Sequence, residues 1–308
     1  MPPKPRRVEW PTLIVMALTY LVWAGGTLLW PLSSSLSLLL TTLAIAQFSS
    51  LQHEVLHGHP FANQTLSEAC VFPGFTLFVP YLRFKDTHLQ HHHDPNLTDP
   101  YDDPEANYMD PEVWNTLSRP TQRLLRLNNT LLGRILLGPA ISTWAFCRTD
   151  LAAIRRGDRR IALSWGLHLI GVALVLGWLL IATSMPVWAY VIAAYLGYGL
   201  LKIRTFLEHR AHEAFRARSV IVEDRGPLAL LFLNNNLHCV HHMHPAVAWY
   251  DLPVIYAARR DHYLRRNDAY VFANYAQIFR RFLLRAKDPV PHPIWPVKKS
   301  DKPESEVA

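Results

Sequence analysis

Long apolar runs alternate with charge-rich segments along the 308-residue chain. At about 1.5 Å per helical residue, a run of some twenty residues crosses roughly 30 Å of hydrocarbon. Four runs have this length, at residues 11–30, 32–51, 161–185 and 187–206. Trp30-Pro31 turns the first pair and Pro186 separates the second pair, whose last run loses its apolar character at Lys202. The pattern predicts four transmembrane helices arranged in two hairpins.

Two further apolar stretches, residues 69–82 and 131–147, are interrupted by proline, glycine or arginine. Such segments commonly lie along the membrane interface or dip in and return, so we expect them to form the floor of a cytoplasmic cap. Between them, DPNLTDPYDDPEANYMDP has the composition of a loop. Residues 291–308 are dense in proline and charge and are predicted to be an extended or disordered tail. The predicted fold is therefore all-α, with one integral membrane domain over residues 1–290.

The positions of lysine and arginine predict the orientation of the spans. The two hairpin turns contain neither residue, whereas the N-terminus, residues 83–160 and the chain after Lys202 hold all of them. Short loops rich in these residues stay cytoplasmic, so both termini and the cap are expected on the cytoplasmic side, in a bacterial inner membrane. The formal net charge of +7 then indicates attraction to anionic headgroups rather than to nucleic acid.

The three cysteines, Cys70, Cys147 and Cys239, show no CxxC spacing. Thiols on the cytoplasmic side stay reduced, so no disulfide is expected.

Most of the sixteen histidines occur in four groups. The groups are His53, His57 and His59; His88, His91, His92 and His93; His209 and His212; and His238, His241, His242 and His244. An even number of predicted spans separates any two groups, so all four emerge on one side of the membrane. Residues three or four apart share a helix face. Eight to ten imidazoles can therefore converge.

The first group lies in HEVLH, residues 53–57, which matches the HExxH pattern of zinc metalloproteases with Glu54 as general base. Such a protease needs two histidines, a third ligand and the glutamate, and leaves the other groups without a role. Eight or more imidazoles suit two metal ions with four or five ligands each, and imidazole binds iron, copper, zinc or nickel. A metal transporter, the other alternative, would place polar ligands along its spans, and the middles of the first, second and fourth spans lack them.

The motifs HEVLH, HLQHH and HCVHH, with EHRAH before the last, resemble the histidine boxes of the integral-membrane fatty acid desaturase and hydroxylase superfamily, HxxxH, HxxHH and HxxHH. The resemblance covers roughly residues 40–250 and includes the two-hairpin topology. It implies a di-iron centre held by the box histidines, which are His53, His57, His88, His91, His92, His238, His241 and His242. His209 resembles an additional histidine after the fourth span, next to Glu208 as in bacterial alkane hydroxylases. His212 departs from the simplest pattern and is the tenth candidate ligand.

The resemblance also implies the reaction. Two iron ions and O2 would oxidise an unactivated C–H bond of a membrane lipid, most simply by fatty acyl desaturation, or by hydroxylation of a lipid or hydroxylation or ketolation of a carotenoid. The sequence has no Cys-rich iron-sulfur pattern, haem signature or dinucleotide fingerprint. Electrons are therefore expected from an external donor of the ferredoxin, rubredoxin or cytochrome b5 type. Four arginines either form its docking face or, as we favour, flank the third span: Arg155, Arg156, Arg159 and Arg160.

Other polar residues have expected supporting roles. Glu54 and Glu208 are expected to accept hydrogen bonds from ligand imidazoles, and Asn234 or Asn235 either faces the metals or begins a helix. The acidic residues from Asp94 to Glu105 are read as a solvated loop, with Asp94 as a possible acceptor from a ligand. The remaining histidines are expected to be hydrogen-bonding neighbours (His59, His93, His244), a carbonyl-bonding residue in the third span (His168) or surface residues (His262, His292).

Overall fold

The computed structural model describes residues 8–295 of the chain. In this part the chain forms fifteen α-helices. They are α1 (Trp10–Leu28), α2 (Ser34–Leu56), α3 (Gln64–Ala69), α4 (Tyr81–His91), α5 (Pro111–Thr116), α6 (Arg119–Asn128), α7 (Leu131–Leu136), α8 (Gly138–Arg155), α9 (Arg159–Ala182), α10 (Val187–Thr205), α11 (Pro227–Leu231), α12 (His238–Met243), α13 (Leu252–Ala258), α14 (Arg260–Arg266) and α15 (Tyr275–Phe282). Two short strands, β1 (Ile221–Val222) and β2 (Val271–Phe272), pair in parallel.

The four long apolar runs are all helical, as α1, α2, α9 and α10. Among the described helices, α1, α2 and α9 are long and apolar enough to cross a membrane. Helix α10 is not among these candidates, and its last turn carries Lys202 and Arg204. The mostly helical fold is therefore confirmed, whereas the fourth crossing and the cytoplasmic position of the cap stay predictions.

Local signals explain where these helices begin. Ser33 precedes α2, and its Oγ accepts a hydrogen bond from Leu36 N at 3.3 Å. Asp158 does the same for α9, with Oδ1 3.0 Å from Ile161 N. Each side chain satisfies a backbone N–H that has no partner within the helix. Pro186 is the residue before α10, where a missing N–H costs nothing.

Helices α1, α2, α9 and α10 share one apolar core, which includes Trp23, Phe48, Val175 and Tyr190. Residues 70–80, between α3 and α4, enter this core without forming a helix, and Phe75 stacks on Trp23 with 4.2 Å between ring centroids. Buried backbone carbonyls in such a segment need hydrogen-bond donors.

Three side chains from three helices bond these carbonyls. Tyr20 Oη donates to Cys70 O at 2.7 Å, and Tyr190 Oη donates to Phe75 O at 3.0 Å. His168 Nε2 lies 3.0 Å from Leu77 O, which confirms the carbonyl-bonding role expected for this histidine. The irregular segment is thus fixed between the long helices by both packing and polar contacts.

The rest of the chain packs into two further apolar clusters, one of which includes Leu131, Phe206, Phe232 and Ile278. The last described residues run along the segment around residues 108–130. Met109 N donates to Val290 O at 2.9 Å, and His292 N donates to Met109 O at 2.8 Å.

His292 was expected at the surface, and this was wrong. Its side chain is buried because it packs against Tyr108 and Trp295 and lies 3.2 Å from Thr98 Oγ1. His262 is exposed, as expected. Residues 291–295 of the predicted tail are therefore in contact with the fold, and residues 296–308 lie outside the described part. No disulfide joins the three cysteines, all of which lie in the described part of the chain.

Candidate metal centre

Nine of the ten candidate histidines meet in two compact groups. Within each group, one nitrogen from every ring lies within 4.8 Å of the others. The first group is His53, His57, His88, His92 and His241, and the second is His91, His209, His238 and His242. Among the described residues, the chain therefore offers one site with five imidazoles and one with four.

Two short helices place the groups side by side. His88 and His91 lie in α4, and His92 is the residue that follows this helix. His88 and His92 belong to the first group, whereas His91 belongs to the second. In α12, His241 belongs to the first group, and His238 and His242 belong to the second. The His92 and His242 rings, one from each group, stack with 4.3 Å between their centroids. The two sites are therefore neighbours that share their supporting helices.

The remaining members come from two other parts of the chain. His53 lies in the last turn of α2 and His57 follows its end, so the two are one helical turn apart. His209 comes after the end of α10, in extended backbone that bridges to Ser219.

His212 lies outside both groups, because EHRAH is not helical. Residues 209–212 follow extended or irregular backbone, so a spacing of three does not place His209 and His212 on one face. The His212 Nδ1 atom accepts a hydrogen bond from Ala214 N at 3.1 Å, and Nε2 lies 3.4 Å from Asp268 Oδ2.

Distances between the ring nitrogens fit metal coordination. His209 Nε2 lies 2.9 Å from His91 Nε2 and 3.0 Å from His238 Nε2. In the first group, His92 Nε2 lies 3.0 Å from His88 Nε2. Two imidazoles that bind one ion at about 2.1 Å and at a right angle hold their nitrogens about 3 Å apart. Both groups therefore have the spacing of rings that share an ion.

One ring of the first group also has a buried Nε2 atom without a hydrogen-bond partner among the described residues. This atom is His57 Nε2. Four other rings of its group surround it at centroid distances of 4.6 to 5.3 Å. Leaving a buried polar atom without a partner costs about 1–3 kcal/mol, so a ligand for this nitrogen is expected. The donor set fits a metal ion.

Carboxylates orient one ring in each group. Asp103 Oδ1 lies 2.7 Å from His91 Nδ1, and Glu105 Oε1 lies 2.8 Å from His88 Nδ1. Asp103 is itself fixed, because its Oδ2 accepts a hydrogen bond from Thr98 N at 2.9 Å. A carboxylate that accepts a hydrogen bond from Nδ1–H leaves the Nε2 lone pair free for a metal and fixes the direction of the ring.

Neutral side chains support two other rings. Ser219 Oγ lies 3.3 Å from His209 Nδ1, and Asn235 Oδ1 lies 3.1 Å from His238 Nδ1. The Asn235 amide nitrogen also lies 3.4 Å from His53 Nε2. Asn235 therefore touches one histidine of each group, which makes it the asparagine that faces the site, whereas Asn234 donates to Trp249 O.

Burial keeps most of the rings neutral. Burial, aided by the neighbouring imidazoles, lowers the pKa of His209, His238 and His241 well below the ordinary value and that of His57 to about 2. His91 differs: burial acts against its charged form, but the charge of Glu105 and the hydrogen bond to Asp103 outweigh it and raise its pKa to about 9. Neutral imidazole is the form that binds metal. The set is thus largely prepared for coordination.

Sequence reasoning assigned the supporting acceptors only in part. Glu54 accepts a hydrogen bond from Trp249 N at 3.2 Å, so it fixes a neighbouring loop instead of a ligand imidazole. Glu208 pairs with Arg204 at 2.9 Å and lies 3.7 Å from His238 Nδ1, beyond hydrogen-bond distance. Asp103 was read as part of a solvated loop and is instead buried beside His91.

A weak signal for the missed acceptors was present. Asp103 and Glu105 follow the second histidine box by eleven and thirteen residues, which is close enough for a loop to fold back on it. The Asp94 side chain lies outside the described part. The extra histidines do not join the groups: His59 pairs with Glu9 at 2.8 Å, His244 bonds Tyr263 at 3.0 Å, and His93 is exposed.

Long apolar helices with two groups of converging histidines at their polar ends define a helical protein with two candidate metal sites. The profile of the fatty acid desaturase family matches residues 26–274, and the chain therefore belongs to this family. Membership implies an oxidoreductase, and together with the apolar helices it suggests a membrane protein. No match is found among curated proteins.

Proposed function

We propose that the protein is a membrane di-iron oxidoreductase that uses O2 to oxidise an unactivated C–H bond of a membrane lipid. The reaction that we favour is desaturation of a fatty acyl chain. The observation that carries this proposal is the pair of adjacent imidazole groups, with five and four members, in a chain of the fatty acid desaturase family. Two sites held side by side by α4 and α12 suit a reaction in which two metal ions act together.

The proposed metal is iron. Imidazole nitrogen is a good ligand for iron, although it also binds zinc and copper, so the donor set alone does not select the ion. Two iron ions, when bound, would supply the redox chemistry needed to activate dioxygen and remove hydrogen from carbon. The residues of the chain hold and orient the ligands, through Asp103 on His91 and Glu105 on His88. Burial of the rings limits the access of water.

A protease function is not supported by the surroundings of Glu54. In the HExxH mechanism this carboxylate acts on a metal-bound water. Here Glu54 accepts a hydrogen bond from the backbone N–H of Trp249. Both histidines of the motif belong to the first group, which has five imidazoles. This group has more imidazoles than a hydrolytic zinc site uses.

The proposed partners follow from what the chain lacks and where its site lies. The three cysteines are far apart in sequence and form no iron-sulfur pattern, and the sequence carries no dinucleotide fingerprint. Reduction of the metals therefore needs an external donor, a protein of the ferredoxin, rubredoxin or cytochrome b5 type. The substrate is a lipid, since the apolar helices give access from the bilayer.

Expression in a host with simple lipids, followed by mass spectrometry of the lipids, tests the reaction. Loss of two hydrogens from an acyl chain is expected, whereas gain of one oxygen would identify a hydroxylase. His91→Ala is the control, because it removes a ring of the second group and should abolish the product. Unchanged lipids in cells that contain the iron-loaded protein and a suitable electron donor would contradict the proposal. The purified protein should contain about two iron ions per chain.

A further inference from the structure

Two segments that are distant in sequence share an unusual composition. Residues 117–137 contain four arginines and no acidic residue, and residues 273–287 contain three arginines, one lysine and no acidic residue. Both segments are also rich in leucine and other apolar residues. Nothing in the proposed metal centre requires this composition.

The fold brings the two segments together. Leu132 N donates a hydrogen bond to Leu283 O at 2.9 Å, and Lys287 N donates to Asn129 O at 3.1 Å. Thr130 and Ala286 form an isolated antiparallel bridge between these contacts. Helices α6 and α7 therefore lie beside the chain that follows α15.

The joined segments expose several leucine side chains. Leu127, in α6, is 58 % exposed, and Leu284, two residues after α15, is 77 % exposed. The exposed leucines are Leu124, Leu127, Leu132, Leu136, Leu283 and Leu284. Several large apolar side chains exposed on neighbouring segments are typical of an interaction site.

Arginines accompany these leucines. Helix α15 buries Tyr275, Ile278 and Phe282 and turns its two arginines outwards. The exposed arginines of the two segments are Arg119, Arg123, Arg126, Arg280, Arg281 and Arg285. We call the six leucines and six arginines together the arginine–leucine surface.

The surface continues the apolar side of α10. Leu136 O accepts a hydrogen bond from Tyr195 Oη at 2.5 Å, and Ile135 O lies so close to Gly199 that a Cβ there would be 2.7 Å away. Around these contacts α10 exposes Ile192 and Leu196, and its last turn carries Lys202. Leu136 thus lies near the part of α10 that precedes its change from apolar to basic residues.

We propose that the arginine–leucine surface binds anionic phospholipid headgroups, with its leucines at the boundary of the acyl chains and its arginines on the phosphates. Arginine pairs bidentately with phosphate, and apolar side chains bordered by basic ones, without acidic residues, are typical of contact with an anionic membrane surface. An acidic protein partner would account for the arginines but not for the six exposed leucines that alternate with them in the two segments. The proposal does not depend on which metal the centre holds.

Native mass spectrometry of the full chain in detergent, with phosphatidylglycerol and phosphatidylcholine added in equal amounts, tests the proposed lipid binding. The wild-type protein is expected to retain phosphatidylglycerol preferentially. The triple variant Arg119→Gln/Arg123→Gln/Arg285→Gln should lose at least about tenfold in affinity for this lipid, since a basic residue near an anionic surface contributes a factor of about five. The matching lysine variant should retain most of the affinity, because it keeps the charge.

The control variant is Arg225→Gln/Arg259→Gln/Arg265→Gln, which removes three exposed arginines from other parts of the fold and should leave lipid binding unchanged. Equal retention of both lipids by the wild-type protein, or an equal loss in the control variant, would overturn the proposal. So would binding of an acidic redox protein that the first triple variant abolishes without any change in lipid binding. Iron content equal to wild type in every variant would show that the result is independent of the metal centre.

Discussion

Two neighbouring aspartates in the loop that follows α4 differ in burial and in their contacts. Asp103 is buried and hydrogen-bonded to His91, whereas Asp102 is exposed. Asp103→Ala removes the acceptor that orients His91, and loss of such a partner typically weakens metal binding 10- to 100-fold. Dialysis of the loaded protein against graded chelator, followed by measurement of the bound metal, checks this expectation.

Asp102→Ala is the matched control, because it removes the same charge one residue away without touching a ligand. Its metal retention should equal that of the wild-type protein. Equal metal loss in both variants would mean that the charge of the loop, and not the hydrogen bond to His91, supports the site.

The two histidines of EHRAH give a second prediction at the scale of residues. His209 lies about 3 Å from two other ring nitrogens of the second group, whereas His212 contacts Ala214 and Asp268. His209→Ala is therefore expected to reduce bound metal from about two ions to about one, and His212→Ala to leave it unchanged. Elemental analysis of the purified variants measures both, and loss of metal in His212→Ala would contradict the assignment.

At the scale of elements, the irregular segment of residues 70–80 depends on close contact with α9. A Cβ on Gly171 would lie 2.6 Å from Phe72 O, so Gly171→Ala must displace the backbone of this segment. Overpacking of this kind costs about 1–3 kcal/mol. Thermal unfolding in detergent should show a lower midpoint for this variant.

Gly177 provides the control, since it lies in the same helix and a Cβ there would meet no atom within 4 Å. Gly177→Ala should leave the midpoint unchanged or raise it slightly, because alanine favours helix. A similar loss of stability in both variants would show that the contact with Phe72 is not the cause.

Sequence patterns predicted the long helices to within a few residues, because an uninterrupted apolar run has few alternatives to a helix. The break at residues 70–80 was also predictable from Pro73, Gly74 and Pro80. The donors that satisfy this segment, such as Tyr20 and Tyr190, were not, since they depend on which helices become neighbours.

The candidate site shows the same limit. The nine histidines that meet in the two groups were predictable as candidates because their spacing repeats the helical turn in α2, α4 and α12, or matches a family position in the case of His209. Asp103 and Glu105 lie in a loop that has no periodicity, so only the folded chain shows which of its carboxylates face the rings. His212 was included as the tenth candidate because it follows His209 in EHRAH, although it departs from the simplest pattern, and in the structure it lies outside both groups.

At the scale of the whole molecule, the two groups join parts of the chain that are far apart in sequence. The first group links α2, α4 and α12, and the second links α4, α12 and the extended segment at His209. A metal ion in each group would therefore act as a cross-link between elements that otherwise meet through a few side chains. Binding to the folded state alone stabilises it by mass action.

Removal of the metals should therefore lower the stability of the entire protein, not only its activity. Without an ion, nine imidazoles, six of them buried, would face one another without the metal bonds that offset their burial. A ligand at 100 times its Kd contributes about 2.7 kcal/mol, so treatment with a chelator is expected to lower the unfolding midpoint by at least about 5 °C. Readdition of iron should restore it, and Asp103→Ala should reach the low midpoint at a lower chelator concentration. If the midpoint stays the same while elemental analysis shows that the metal has left, the two groups do not hold the fold together, and the helical packing alone positions the histidines.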